Sequence, residues 1–65
     1  SQHNITRLIK WLVDDQNDSN STFLLGYFNY SGIGLNKNIE KAFSLFFNAS
    51  KKNPMLAQCY VGTCY

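Results

Sequence analysis

Apolar residues recur along the first part of the chain with the spacing of a helix face. They fall at intervals of three and four positions and comprise Ile5, Leu8, Ile9, Leu12 and Val13. Residues three and four apart share one side of an α-helix, so this stripe predicts an amphipathic helix over residues 4–15. Asn4 precedes the stripe as a candidate N-cap. The polar, turn-forming residues 14–20 should end the helix.

A second helix is predicted over residues 21–30, and it is apolar on nearly every side. Its apolar members are Phe23, Leu24, Leu25, Tyr27, Phe28 and Tyr30, so we expect burial on more than one face. Gly26 lies inside this helix, where glycine costs about 1 kcal/mol relative to alanine. We therefore expect Gly26 to admit another backbone. Gly32 and Gly34 follow, and both can adopt positive φ where the chain reverses.

Two further helices are predicted in the second half of the chain. Asn36 or Asn38 can cap a helix over residues 38–50, whose stripe is Ile39, Ala42, Phe43, Phe46, Ala49 and Ser50. Pro54 suits the first position of a fourth helix, over residues 54–65, because its missing N–H is not needed there. No segment alternates with period two, so the predicted fold class is all-α.

The sequence also repeats itself. Leu25-Gly26 recurs as Val61-Gly62, and Ser21 recurs as Ala57, both 36 positions later (25 to 61, 21 to 57). The third helix aligns more weakly with the first at 37 positions (5 to 42, 12 to 49). Two helices per unit at this period predict an α-solenoid, a superhelix of antiparallel helix pairs.

The repeated residues resemble the Sel1-like repeat, a helical repeat similar to the tetratricopeptide repeat. The positions that carry the resemblance are Ser21, Leu25, Gly26, Gly32, Gly34, Lys41, Ala42, Phe43, Phe46, Ala49, Ala57, Val61, Gly62 and Tyr65. The family pattern is a small residue, Leu-Gly, a tyrosine, Gly-x-Gly-Val, Lys-Ala, an aromatic residue and Ala-Ala. The chain departs from it at Ser21, Asn29 and Ser50, which stand where the family has alanine, tyrosine and alanine.

The resemblance implies both an organisation and a function. Residues 4–15 would be the second helix of a degenerate preceding repeat, residues 21–53 a complete repeat, and residues 54–65 the first helix of the next. Such arrays bind proteins or peptides on a concave face, so we expect an interaction scaffold or adaptor without catalysis of its own. Because fewer than three repeats seldom stand alone, the isolated chain should be marginally stable or should self-associate through its exposed ends.

The composition and the remaining motifs do not indicate a nucleic-acid partner, a membrane span or a bound ligand. The net charge is +2, and the basic residues are scattered except for adjacent Lys51 and Lys52, so no nucleic-acid partner is expected. No apolar run approaches the roughly 18 residues that a membrane span needs. Gly32-Ile33-Gly34 follows a predicted helix rather than a strand, so we interpret it as a loop and not a phosphate cradle. We predict no cofactor, no metal and no small-molecule substrate.

The reactive side chains are interpreted as structural. Cys59 and Cys64 lie five positions apart, which places them roughly 140° apart around a helix and prevents them from bridging each other. We expect them to be buried, with a bond to a cysteine elsewhere, as in secreted Sel1-like proteins, as the alternative. Asp14 and Asp15 are interpreted as a solvated helix end rather than a cation site, and His3 is given no role. No catalytic residue is predicted.

Exposed aromatic residues could anchor a ligand, and Trp11, Tyr27 and Tyr30 are the candidates. Trp11 lies off the main apolar stripe of its helix. We favour contact between these residues and neighbouring repeats over a ligand site.

Two other functions stay open. The chain could be a regulatory or targeting arm of a larger enzyme, since Sel1-like repeats occur beside protein kinase domains in some fungi. It could also be an adaptor of the endoplasmic reticulum lumen or a secreted one, which would suit its Asn-x-Ser/Thr sequons at Asn4, Asn17, Asn20, Asn29 and Asn48. A chain this rich in asparagine, serine and threonine forms such triplets often by chance, so we favour the cytoplasm.

Overall fold

The described part of the chain folds into three packed helices. The computed structural model describes residues 2–15 and 17–58, and within them the helices are α1 (Gln2–Asp14), α2 (Ser19–Ser31) and α3 (Ile39–Lys52). No strand occurs in this described part. The prediction of an all-α chain is therefore confirmed.

Helix α1 begins earlier than predicted. It starts at Gln2, so the proposed cap Asn4 lies inside the first turn and the prediction that Asn4 caps the helix is wrong. Gln2 and His3 include no proline or glycine, so nothing in the sequence stops the helix from extending past Asn4. At the other end, the amide of Asp15 donates to the carbonyl of Trp11 at 3.0 Å. The helical hydrogen-bond pattern therefore continues to Asp15.

Helix α2 is capped at both ends by its own sequence. Asp18 is the N-cap in extended conformation, and its side chain accepts a hydrogen bond from the amide of Asn20. The helix thus starts two residues before the predicted Ser21, because an aspartate caps as well as a serine does. At the C-terminal end, Gly32 adopts φ 77° and donates its N–H to the carbonyl of Phe28. A residue other than glycine would be strained in this left-handed conformation.

Helix α3 takes its N-cap from Asn38 rather than from Asn36. The Asn38 side chain accepts the amide of Lys41 at 3.1 Å. The charged side chains stabilise the helix dipole, because Glu40 lies in the first turn and Lys51 and Lys52 lie in the last.

A turn follows α3. The Asn53 side chain accepts the amide of Met55, and the amide of Ala57 donates to the carbonyl of Pro54. This geometry is compatible with a helix that begins at Pro54. Residues 59–65, which make up most of the predicted fourth helix, lie outside the described residues.

Helices α2 and α3 form an antiparallel hairpin. The ring of Tyr30, near the end of α2, lies 6.4 Å from that of Phe43, near the start of α3. At the opposite end, the Lys52 ammonium donates to the carbonyl of Asn17 at 3.2 Å. This interface is more extensive than the contact between α1 and α2.

Helix α1 completes the core that the hairpin begins. Its inward residues meet those of α2 and α3 in one cluster, formed by Ile9, Leu12, Leu25, Phe28 and Leu45, with Ile5 and Leu35 packed against it. The loop between α2 and α3 also reaches α1, since Gly34 lies directly against Ile5 and Ile9.

Candidate interaction surfaces and the predicted repeat residues

Small residues let α2 and α3 approach closely. A β-carbon built at Gly26 would lie 2.8 Å from two carbons of the Phe46 ring and 3.2 Å from the Ala42 carbonyl oxygen. Ala42 and Ala49 are fully buried on the facing helix. The expectation that Gly26 admits a neighbouring backbone is thus confirmed.

Aromatic rings fill the space that these small residues leave around the hairpin. Phe46 is completely buried, with the Phe23 ring 4.7 Å, the Phe43 ring 6.3 Å and the Tyr30 ring 6.5 Å from its own, between centroids. Aromatic pairs at such distances contribute about 0.5–1.5 kcal/mol beyond the area that they bury. Phe46 is therefore the central side chain of the α2–α3 interface.

The two loop glycines have different surroundings. Both have positive φ, 77° at Gly32 and 76° at Gly34. A β-carbon at Gly32 would lie 3.2 Å from the Lys37 β-carbon and 3.5 Å from its backbone nitrogen, whereas one at Gly34 would collide with Ile5 and Ile9. Gly34 is thus required for the loop to pack on α1 as well as for its backbone conformation.

The other predicted repeat residues divide into inward and outward positions. Ser21 and Leu25 are buried on α2, whereas Lys41 is exposed near the start of α3. Ala57 is half-buried in the turn after Pro54. Val61, Gly62 and Tyr65 lie outside the described residues, as do Cys59 and Cys64.

A buried polar residue, Asn29, was not singled out from the sequence as structural. It is 5% exposed, and its side-chain amide donates to the Leu25 carbonyl at 2.9 Å. Its own carbonyl accepts the amide of Asn38 at 2.8 Å. Asn29 therefore ties the last turns of α2 to the start of α3. The signal that could have found it is an amide that lies between two aromatic residues, Phe28 and Tyr30.

Several large apolar residues lie on the outer faces of the helices. On α1, Trp11 is 56% exposed, and Leu8 and Val13 are exposed as well although the apolar stripe placed them with the core. On α2, Leu24 and Tyr27 are exposed; on α3, Phe47 is 53% exposed. These residues are candidates for contact with a partner.

Polar side chains of the described residues line an open cleft beside the hairpin. Within residues 2–15 and 17–58, no three histidine, cysteine, aspartate or glutamate side chains group as metal ligands. An open cleft of about 390 Å³ lies between the start of α2 and the end of α3, lined by Thr22, Asn48, Lys51 and Lys52. The Thr22 hydroxyl and the Lys52 ammonium both donate to backbone carbonyls. No described helix has the length and apolar character to cross a membrane.

The sequons differ in accessibility. Asn4, Asn17, Asn20 and Asn48 are exposed, whereas Asn29 is buried and hydrogen-bonded. Glycosylation of Asn29 would thus be incompatible with this fold.

Comparison of the chain with protein-family models, curated proteins and solved structures gives no match.

Proposed function

We propose that this chain is a segment of an α-solenoid of the Sel1-like type and acts as a protein–protein interaction scaffold, without catalysis of its own. The observation that carries the proposal is the α2–α3 hairpin, in which Gly26 and Ala42 face each other and Phe46 fills the centre. A helix pair of this kind buries one side only, so it needs neighbours or partners on its flanks.

The position of α1 supports the same proposal. Helix α1 packs against α2 and shares a core cluster with Leu45 of α3, as the second helix of a preceding unit would. The turn at Pro54 starts a new segment after α3. This order of elements supports the proposed organisation, in which α1 belongs to a preceding unit and the segment after Pro54 to a following one.

The partner class follows from the surface of α2. Proteins and peptides would bind through apolar and aromatic anchors, which dominate the energetics of protein interfaces. Leu24 and Tyr27 are exposed three positions apart on α2, which places both on one side of the helix. In the assembled array this side would contribute to the concave binding face.

Selection from a displayed library of random peptides tests the proposal. The folded chain should enrich peptides of about micromolar affinity, and their amide chemical-shift effects should form one continuous surface that includes Tyr27. Tyr27→Ser should weaken binding by about tenfold, whereas Ser44→Ala, at an exposed position on α3, should leave it unchanged. Enrichment no greater than on the urea-unfolded chain would refute a binding function.

A further inference from the structure

We propose that the open cleft between the start of α2 and the end of α3 binds an oxyanion, a carboxylate or a phosphate group, carried on a peptide. We call it the oxyanion cleft, and the residues that line it are Thr22, Asn48, Lys51 and Lys52. The inference rests on the proposed function in that the ligand is a peptide, and it adds which kind of side chain the peptide presents.

The charge of the oxyanion cleft is positive. Two of the described residues that line it are lysines, and no acidic side chain is among them. Asp18 precedes Thr22 by one helical turn, and its carboxylate accepts the amide of Asn20 as the N-cap of α2. The ligand charge that the cleft favours is therefore negative.

The donors of the cleft lie together on one side of α3. Lys51 and Lys52 follow Asn48 at intervals of three and four, so all three side chains share that side. At 100° per residue, the two lysines flank Asn48 at roughly 60° and 40° around the helix. Since amide and ammonium groups are hydrogen-bond donors, an oxyanion above Asn48 can accept from all three.

Both ammonium groups are held in place by contacts within the chain. The Lys52 ammonium donates to the carbonyl of Asn17 at 3.2 Å, and the Lys51 ammonium lies 5.2 Å from the centroid of the Phe47 ring. Ordering a flexible side chain on binding costs about 0.5–1.5 kcal/mol. Side chains that are already restricted reduce this cost to the ligand.

The opposite wall of the cleft is rigid and does not compete for a cation. Thr22 is 3% exposed, and its hydroxyl donates to the Asp18 carbonyl at 3.1 Å. It therefore shapes the cleft while the α3 side chains supply the donors. This wall also belongs to the start of α2, the end at which the helix dipole is positive.

The size of the cleft suits an acidic side chain with part of its peptide. Its volume of about 390 Å³ lies within the range of roughly 300–1,000 Å³ that ligand pockets have. The cleft is open to solvent, so a peptide can enter it along its length. Beside Lys51, the Phe47 ring is 53% exposed and can contact an apolar neighbour of the acidic residue.

Titration of the chain with three blocked tripeptides, followed by nuclear magnetic resonance, tests the proposal. The central residue is aspartate, phosphoserine or asparagine between two glycines, so no apolar side chain is present to engage Leu24 or Tyr27. The two acidic tripeptides should shift the side-chain amide signals of Asn48 with Kd values of about 1–10 mM. Phosphoserine should bind more tightly than aspartate because its charge is about −1.5 to −2, and asparagine at least about fivefold more weakly than aspartate.

Two double variants of equal charge locate the site. Lys51→Gln with Lys52→Gln should weaken binding of the acidic tripeptides by about fivefold to tenfold. Lys37→Gln with Lys41→Gln removes the same charge from exposed positions near the start of α3, and it should change binding by less than about twofold. Far-UV circular dichroism verifies that both variants keep their helices.

Three results would each overturn the proposal: no shift of the Asn48 amide, equal binding of the asparagine tripeptide, or equal weakening by the Lys37 and Lys41 pair. A response to only one acidic tripeptide would support the site and identify its ligand as a carboxylate or a phosphate. The proposed function fails separately. If the acidic tripeptides bind as expected but the displayed library gives no enrichment, the oxyanion cleft stands and the surface of Leu24 and Tyr27 does not.

Discussion

The ring of Phe46 occupies the space that a side chain at Gly26 would need. Two ring carbons lie 2.8 Å from the position of a β-carbon at Gly26, closer than any non-bonded carbon pair at its optimal separation of about 3.5–4.0 Å. Phe46 is fully buried among other rings, so a side chain at position 26 would have to displace it. This contact between α2 and α3 therefore depends on the absence of a side chain at position 26.

Substitution at this contact should destabilise the chain. Gly26→Leu and Ala42→Leu should each cost about 1–3 kcal/mol through overpacking, and Gly26→Ala should also destabilise although alanine favours helix by about 1 kcal/mol. For a chain of this size, 1 kcal/mol corresponds to about 4–8 °C in melting temperature. Thermal unfolding followed by circular dichroism measures the effect, with Ser44→Leu at an exposed position of α3 as the control. If Gly26→Leu melts like the parent, the close packing of the hairpin is refuted.

The loop glycines offer a paired test of conformation against packing. Gly32→Ala should cost about 1–2 kcal/mol, because its φ of 77° lies in the left-handed region. Gly34→Ala should cost distinctly more, since its side chain would also collide with Ile5 and Ile9 on α1. Urea unfolding midpoints of the two variants give the comparison. Equal costs would mean that the loop does not pack on α1.

A carboxylate in place of the buried Asn29 amide should make the free energy of unfolding depend on pH. Asn29→Asp should cost at least about 2 kcal/mol at neutral pH, because a carboxylate there would be buried and would face the Leu25 carbonyl, another acceptor. Burial would raise the pKa of this carboxyl above its unfolded value of about 3.9. The variant should thus be most stable below about pH 4 and should lose stability as pH rises through the folded pKa.

Asn48→Asp is the control for this pH dependence. Asn48 is exposed on α3, so the same substitution there should change the free energy of unfolding by no more than about 0.5 kcal/mol. The measurement is the difference between each variant and the parent in urea unfolding, from acid to neutral pH. A difference for Asn29→Asp that does not shrink in acid would argue against a buried Asn29.

Substitution of Asn38, the N-cap of α3, can be compared with substitution of the nearby Asn36. Asn38→Ala should cost about 0.5–2 kcal/mol, because it removes the acceptor for the Lys41 amide. Asn36→Ala removes an exposed side chain in the loop and should be close to neutral. Thermal unfolding distinguishes the two. A larger loss from Asn36→Ala would place the cap elsewhere.

Local signals in the sequence predicted most of the secondary structure. The stripe on α1, the turn residues after Asp14 and the glycines at positions 32 and 34 act over a few residues, so they can be read without knowledge of the fold. The errors fell at helix starts: Asp18 caps α2 ahead of Ser21, and α1 extends past Asn4 to Gln2. The small residues Gly26 and Ala42 were also correctly expected to permit close approach, because a glycine inside a helix is costly unless packing requires it.

The candidate surfaces were less accessible to sequence reasoning. Leu8 and Val13 belong to the apolar stripe of α1 and yet are exposed, whereas Asn29 is polar and buried. Periodicity states which residues share one side of a helix, but it contains no information about which other element covers that side.

The sequence by itself determined the helical class of this chain, the turn after α1 and the residues where close packing is allowed. It could do so because helix propensity, capping and glycine conformation depend on neighbours along the chain. The tertiary structure alone decided that Phe46 fills the space beside Gly26, that Gly34 rests on α1, and that Trp11 and Phe47 stay on the outside. Those outcomes depend on contacts between residues distant in sequence, which form only when the helices pack.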